Sequence, residues 1–518
     1  MISSGTDAPV VVVGAGPVGL ATGLLLARWG VASIVCDAAP AHQIVGSRSI
    51  CTQRDVLDIM VRIGCAEPML AEGITWRTGR TYYREHELLT VTFDDPGGGG
   101  LPPWINISQA RVERLLLDRV AAEPLVELCW GHPVTGVSQD AAGVTVQTAG
   151  GTLTADYLVA ADGARSTVRE LLGVDFPGES YQDRFLIADI RAELPFPNER
   201  RFYFDPEWNP GRQVLVHQQP ASVWRIDWQV PGDFDLAAAE ASGELDSRIR
   251  RIAGTLPYQM VWRTVYQFSE RCATALRRGR VFLVGDAAHL YAPFGARGLN
   301  SGFQDAENLA WKLAYALRGW AGSGLLDSYH TERYAAAQEN LRVTSRTMRF
   351  LAPQSDAEWA RRRAVLQRAV TDPAARREID SGKLAEPYWY LDSPLTTVDG
   401  IPEDFPTEAG ARRPPVAGVL CPDAPCRSPD RRLRQLFGGG FVVLTDDPQW
   451  RQAGRAAASA TAAPVAAFHL QTLGPGVRDA LAATDHSVHL VRPDGHLAAV
   501  LPDPEKLPEA VRRACGAS

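Results

Sequence analysis

Residues 10–37 read VVVVGAGPVGLATGLLLARWGVASIVCD. Val10–Val13 is an apolar strand, Leu20–Trp29 carries helical periodicity and stops at Gly30, and Val31–Cys36 is a second strand closing on Asp37. The turn between them satisfies G-x-G-x-x-G at Gly14, Gly16 and Gly19, and the acid follows about 20 residues on. Gly14 permits the tight turn, Gly16 lets backbone N–H groups approach a pyrophosphate, and Gly19 lets helix and strand lie close. Pro17 stands in the same turn, at a helix N-terminus that favours an anion. Asp37 can accept hydrogen bonds from both hydroxyls of an unphosphorylated ribose, which favours FAD or NAD over NADP. A glycine turn with no ligand is the plainer alternative.

Outward from this stretch the βα character continues. A helix over Gln109–Ala122 leads to a strand over Leu125–Trp130, and a hairpin-like stretch at 133–154 precedes Tyr157–Ala160 and Asp162-Gly163. From 176 to 270 the pattern changes to alternating runs such as RFYFD, QVLVHQ and SVWRIDWQV, which predict an antiparallel sheet on the substrate side. The βα pattern returns at 279–350, and residues 351–412 are helical and then rich in Pro and acids, like a connecting arm. A fresh α/β pattern with FVVLTDD, APVAAFHL and SVHLVRPDG begins near 413. The expected class is therefore α/β, divided as 1–180 (with a substrate-side segment at about 70–105), 181–275, 276–395 and 396–518.

Composition narrows the partners. The 53 basic against 60 acidic residues argue against nucleic acid or an anionic membrane. No apolar run approaches a membrane span, and no signal peptide is visible, since Val10–Val13 is short and runs into glycines. The eight cysteines are scattered, and the C-x4-C pair Cys421/Cys426 has no matching second pair for a metal. Free thiols in a reducing cytoplasm are the expectation.

Two further stretches carry chemistry. YLVAADGARSTVRELLG, residues 157–173, ends a strand at Asp162-Gly163; alone it reads equally as a turn with a capping Ser166. GDAAHLYAPFGARGLNSGFQDAENLAWKLA, residues 285–314, sets Asp286 at a strand's end and glycines before a long helix. With the glycine turn, in this order and separation, these stretches resemble the class A flavoprotein aromatic hydroxylases, the para-hydroxybenzoate and phenol hydroxylase family. The resemblance covers roughly residues 9–350 and includes GSRSICTQRDVLDIM at 46–60. The 3-(3-hydroxyphenyl)propionate hydroxylase-like branch is the most similar. It implies a Rossmann-like FAD-binding domain, an antiparallel-sheet substrate domain and a thioredoxin-like C-terminal domain. That last part has no C-x-x-C and is expected to be structural or dimer-supporting, so a homodimer is one expected assembly.

The resemblance implies a role for each matching residue. Asp37 would bind the adenosine ribose, Arg48 would sit by the pyrophosphate and ribityl chain, Gln109 would also bind FAD, and Asp162 would lie near the pyrophosphate and the nicotinamide nucleotide's path. Asp286 would bind the ribityl hydroxyls, Gly298, Leu299 and Asn300 would offer backbone N–H groups to the flavin's pyrimidine edge, and Pro293 would face the ring system. Amides at a helix N-terminus suit the anionic reduced flavin on physical grounds as well. Ala296-Arg297 departs from the Gly-Gln of many relatives, and Arg297 is read either as positive charge near the cofactor or as facing solvent. The implied chemistry is hydroxylation of a small aromatic substrate with O2 as co-substrate, through a flavin C4a-hydroperoxide. NADPH or NADH is the transient donor and FAD is tightly, non-covalently bound.

Strand parity separates the faces of QVLVHQQPASVWRIDWQV at 213–230. Val214, Val216, Trp224, Ile226, Trp228 and Val230 share one face, and His217, Gln219, Arg225 and Asp227 the other. By the resemblance the polar face looks at substrate, with His217, Arg225 and Asp227 as catalytic candidates; a solvent-exposed Arg–Asp surface pair is the bland alternative. Tyr82, Trp104, Gln219 and Phe294 are candidates for the substrate pocket. Three other readings compete: a related halogenase, an epoxidase, and a flavin-binding protein without turnover. A halogenase needs a lysine in its first half, and none precedes Lys312 here.

Overall fold

The computed structural model describes residues 8–43, 49–93, 100–398, 413–428 and 431–517. A six-stranded sheet forms its first layer, in the order Arg277–Arg278, Val281–Leu283, Tyr157–Ala160, Val10–Val13, Ser33–Asp37, Val126–Trp130. All neighbours are parallel except the two-residue edge strand. Val10, Val11 and Val12 are fully buried, as expected of a central parallel strand covered on both faces. The helix Pro17–Arg28 begins three residues earlier than the apolar periodicity suggests. Pro17 explains this, because proline at the first helical position has φ preset and lacks an N–H that would be unpaired anyway. The long helix Gly298–Leu317 lies against it.

The second layer is an eight-stranded sheet with the order His289–Leu290, Gln259–Cys272, Gly178–Arg191, Val223–Val230, Gln213–Gln219, Arg200–Phe204, Thr78–Tyr83, His86–Thr92. It is antiparallel except where Arg200–Phe204 meets Thr78–Tyr83. Parity decides its two faces. Val214, Val216, Trp224, Ile226, Trp228 and Val230 are buried with Leu245 and Ile249 of the helix Glu244–Ala253. The opposite face looks toward the first layer.

A four-stranded sheet near the C-terminus runs Val465–His469, Phe441–Thr445, Val488–Val491, Leu497–Leu501. The VRPDG segment is a hairpin turn, with Gly495 at φ +88°. It does not project into solvent. Arg492 is fully buried and grips Glu332 of the helix Asp327–Leu351, while Trp311 Nε1 donates to Asp494 at 3.3 Å. Among the described residues no helix is long and apolar enough to cross a membrane.

Candidate active site

Three glycines shape one end of the site. Gly14 sits at φ +105°, and a Cβ there would lie 2.4 Å from Ala161 O. A Cβ on Gly19 would lie 1.9 Å from Gly14 O, so helix and turn can touch only through glycine. Gly16 differs: a Cβ there would meet nothing within 4 Å. Gly16 and Pro17 open onto a cavity of about 650 Å³ that runs from the glycine turn to the eight-stranded sheet. Asp37 braces the turn by accepting from Ala15 N at 2.7 Å and Ala39 N at 2.8 Å. Each of its oxygens can take a further donor.

The segment 285–302 forms the cavity's middle. Asp286 lines it and is exposed to it. Asp305, on the helix behind, fixes the turn that carries Asp286. It accepts from Gly285 N at 2.9 Å and is bonded to His289 Nε2 at 2.7 Å and Arg333 Nε at 2.6 Å. Pro293, Phe294, Gly298 and Leu299 also line the cavity. The first intrahelical bond is Ser301 N to Arg297 O, at 2.8 Å. The N–H groups of Gly298, Leu299 and Asn300 therefore precede the helical ladder. A Cβ on Gly298 would meet nothing within 4 Å. Two helix N-termini, each with a glycine open on the same cavity, suit a dinucleotide. The side chain of Asn300 works elsewhere. It accepts from Gln53 N at 3.1 Å and donates to Cys51 O at 3.0 Å and Ala296 O at 2.6 Å, tying the strand Cys51–Gln53 to this loop.

Arg297 follows neither sequence-based reading fully. It is 4 % exposed, so it does not face solvent. Its guanidinium lies at the cavity wall but donates to Asn340, to Lys383 O and to Leu384 O, anchoring the arm beyond 380. Burial pulls its pKa down to about 10, so it stays charged at neutral pH. Ala296 sits at φ +55°, the left-handed region that favours glycine.

The far end of the cavity is the polar face of the large sheet. Asp189, Arg225 and His217 are cross-strand neighbours in one row, and the register Arg201–Val216 brings Arg200 level with His217. Arg225 is held bidentately by Asp189, Nε to Oδ1 and Nη2 to Oδ2 both at 2.8 Å, with both side chains buried. This corrects the surface-pair reading: the pair is buried, and the acid is Asp189 rather than Asp227. In the next row Asp227 lies between Ile187 and Leu215. Its Oδ1 has no partner among the described residues. Burial pushes its pKa up to about 7; Arg225 and Arg200 oppose the shift and Asp189 adds to it. Burial, with Arg200 and Arg225 beside it, holds His217 well below the usual imidazole range, and its Nδ1 is unpartnered among the described residues.

The structure brings together on the cavity Gly16, Pro17, Gln109, His217, Arg225, Asp227, Asp286, Pro293, Phe294, Gly298 and Leu299. Gln109 accepts from Ser49 N at 3.2 Å. Several candidates stand elsewhere. Asp162 accepts from Ser166 Oγ at 2.5 Å and Val168 N at 3.0 Å, so it organises the start of the helix Thr167–Leu171 while Gly163 and Arg165 line the cavity. Tyr82 is not a lining residue: it stacks on Tyr203 at 4.9 Å on the sheet's other face. Trp104 stacks on Trp76 in a cluster behind Ala296 and Leu384. Gln219 is buried at its strand's end, away from the cavity lining. Arg48 lies outside the described residues. Sequence reasoning missed Asp189, Asp305 and Arg200. Asp189 was signalled by a lone acid within the apolar run FLIADI, and Asp305 by an acid on the buried face of its helix.

The family described as FAD binding domain matches residues 7–344, and the aromatic-ring hydroxylase C-terminal family matches 414–518. A 3-(3-hydroxy-phenyl)propionate/3-hydroxycinnamic acid hydroxylase of Mycobacterium sp. (strain JLS) is 31% identical over 450 residues, 85% of this chain and 76% of that protein. A para-nitrophenol 4-monooxygenase of Pseudomonas sp. (strain WBC-3) is 31% identical over 386 residues, 71% and 93% of the two chains. The flavin-dependent monooxygenase PieE, solved with FAD and substrate, superposes with a TM-score of 0.81 at 25% identity over 100% of both chains. This chain belongs to the FAD-dependent aromatic-ring hydroxylases. It is a monooxygenase whose cofactor is FAD, as the open glycine positions at two helix N-termini accommodate.

Proposed function

We propose that the chain hydroxylates a phenolic or related aromatic ring bound against the polar row of the large sheet, consuming NADPH or NADH. The observation that carries this is one continuous cavity running from Gly16 at one end, past Gly298 in its middle, to Asp227 at the other. FAD, held non-covalently and reduced by a transiently bound nicotinamide, supplies oxygen transfer from O2. The chain's residues do the rest. Gly16 and Pro17 would take the pyrophosphate, Asp37 the adenosine ribose and Asp286 the ribityl hydroxyls. The N–H groups of Gly298, Leu299 and Asn300 would stabilise negative charge on the reduced ring.

Asp227 fits the proton acceptor for the ring hydroxyl better than His217 does. A carboxylate titrating near 7 can take that proton and return it at neutral pH, whereas His217 is held neutral and weakly basic by burial and, after it, by two flanking cations. Arg225, fixed by Asp189, keeps a constant positive charge beside them. Phe294 meets Phe185 at 5.4 Å and Phe268 at 6.2 Å, an apolar wall that keeps water from the reacting ring.

The proposed division keeps the sequence boundaries, 1–180 with 276–395 for FAD, 181–275 for substrate and 396–518 as a thioredoxin-like unit. The strand order of that last sheet, second-first-third-fourth with only the first two parallel, supports the reading. Eight free cysteines, seven of them buried, favour a cytoplasmic location. A homodimer remains part of the proposal, and light scattering on the purified protein tests it. The activity test is NAD(P)H oxidation with a panel of phenols, with product mass spectrometry. A yellow protein that no phenol stimulates, or that yields only peroxide, overturns the reading.

A further inference from the structure

Arg333, on the helix Asp327–Leu351, is fully buried and joins three separate parts of the chain. Its Nε donates to Asp305 Oδ1 at 2.6 Å. Its Nη2 donates to Ser301 Oγ at 3.1 Å and to Ser301 O at 3.2 Å. Its Nη1 donates to the Tyr390 hydroxyl at 2.9 Å. The first two partners belong to the two halves of the cofactor grip. Asp305 holds Gly285 N and His289, on either side of Asp286. Ser301 follows directly on Gly298, Leu299 and Asn300 in the first turn of the helix Gly298–Leu317. The third partner is docked on the C-terminal unit. Tyr390 N donates to Gly418 O at 2.8 Å, and the Tyr390 ring centroid lies 4.5 Å from that of His496, beside the VRPDG turn. Glu332, the neighbour of Arg333, is gripped from the same side by Arg492, whose Nη2 donates to Oε2 at 2.9 Å. Asp305, Ser301 and Tyr390 are all buried, so water does not take over a bond that is misplaced. A planar guanidinium offers its donors in fixed directions and so fixes these partners relative to one another.

We propose that Arg333 is a positioning residue for FAD: it keeps the turn carrying Asp286 in register with the amides of Gly298–Asn300, and the C-terminal unit acts on the cofactor through it by way of Tyr390. This rests on the reading that Asp286 and those amides hold FAD. Arg333 does not line the cofactor's cavity, so it works through Asp305 and Ser301. Both halves of the grip must meet one cofactor at once, and an error of about 1 Å between them weakens both. The C-terminal unit, which has no C-x-x-C, thereby contributes to cofactor geometry from behind the site.

The test uses the FAD-loaded full chain as wild type, Arg333→Lys, Tyr390→Phe and the double variant. Arg333→Lys keeps the charge beside Asp305 and loses the fork; Tyr390→Phe removes one hydroxyl and keeps the ring against His496. Ile249→Ala, in the apolar core on the far face of the large sheet, is the control that lowers Tm without touching the grip. FAD dissociation is read from the fluorescence released on dilution, and the midpoint potential from equilibration with a reference dye. Arg333→Lys is expected to weaken FAD about 10-fold, the size of one hydrogen bond to a charged group, and Tyr390→Phe about 3-fold. The amides face the anionic reduced ring, so the reduced form should weaken about 3-fold more than the oxidised form, a fall of about 14 mV for a two-electron couple. The double variant should be no weaker than Arg333→Lys, since both act through one guanidinium. Ile249→Ala should keep wild-type affinity and potential despite a lower Tm. FAD affinity that follows Tm across all variants, an unchanged potential, or wild-type FAD binding by Arg333→Lys or Tyr390→Phe overturns the proposal. If Arg333→Lys does not fold, Tyr390→Phe decides by the same measurements. Failure of the underlying reading shows separately, as Asp286→Ala that holds FAD like the wild type.

Discussion

Replacing Asp227 by asparagine should make the protein more stable and a poorer enzyme, and the stability gain should grow with pH. The carboxyl titrates near 7 in the folded chain and near 3.9 when unfolded. The unfolded chain therefore gives up its proton first as pH rises. Folded stability falls between about pH 4 and pH 7 and stays lowered above that. At 1.36 kcal/mol per pH decade the cost of an ionised Asp227 is at most about 4 kcal/mol, and water entering the cavity reduces it. The asparagine side chain has the same shape and no charge to bury. For a chain of 518 residues the unfolding entropy is about 1 kcal/mol per °C, so the upper bound corresponds to a rise in Tm of about 4 °C. The assay is calorimetry of wild type and Asp227→Asn, both FAD-loaded, at pH 5 and pH 8, paired with turnover against pH. The difference in Tm should be small at pH 5 and larger at pH 8. Wild-type turnover of a phenol should rise through an apparent pKa near 7, and the variant should lose that limb. Equal Tm differences at both pH values, or a limb that survives in the Asp227→Asn enzyme, would refute the argument that this carboxylate is both strained by burial and the proton acceptor.

The glycine turn gives a paired prediction: Gly16→Ala should fold and lose FAD, whereas Gly19→Ala should yield little folded protein, since its Cβ would lie 1.9 Å from Gly14 O. Circular dichroism with flavin absorbance reads both, and a yellow Gly19→Ala would contradict the close approach. Asp286→Ala should purify folded and colourless; normal FAD content would remove this acid from the cofactor's grip. Arg492→Met leaves Glu332 and Asp494 short of a buried partner and should cost about 3–5 kcal/mol. Thermal melts check it, and a loss below about 1 kcal/mol would mean the C-terminal hairpin contributes little to holding the helix Asp327–Leu351.

Much of the cofactor end was legible in the sequence because its constraints are local. A glycine turn, the strand before it and the helix after it occupy one short stretch. Gly14 and Gly19 each answer a backbone clash, within that stretch or with the end of the adjacent strand. The substrate end was legible only to the level of parity. Alternation along residues 213–230 put His217, Arg225 and Asp227 on one face, but nothing in it identified Asp189 as the partner of Arg225. Asp189 arrives from a strand 36 residues away. Tyr82 and Trp104 were misplaced for the same reason: an aromatic residue in a strand can face the core or a cavity, and only cross-strand register decides which.

By itself, then, the sequence determined the βα frame, the glycine cradle and the two faces of the hairpin, since strand and helix periods are properties of neighbouring residues. Only the tertiary structure decided the charges. It paired Arg225 with Asp189, left Arg200 with a single backbone carbonyl among the described residues, turned Arg297 inward onto the arm, and buried the Arg492 turn against Glu332. The physical reason is that a side chain's charge and proton affinity depend on burial and on whichever ionised groups lie within a few ångströms. In this protein those groups come from strands and helices far apart in the chain.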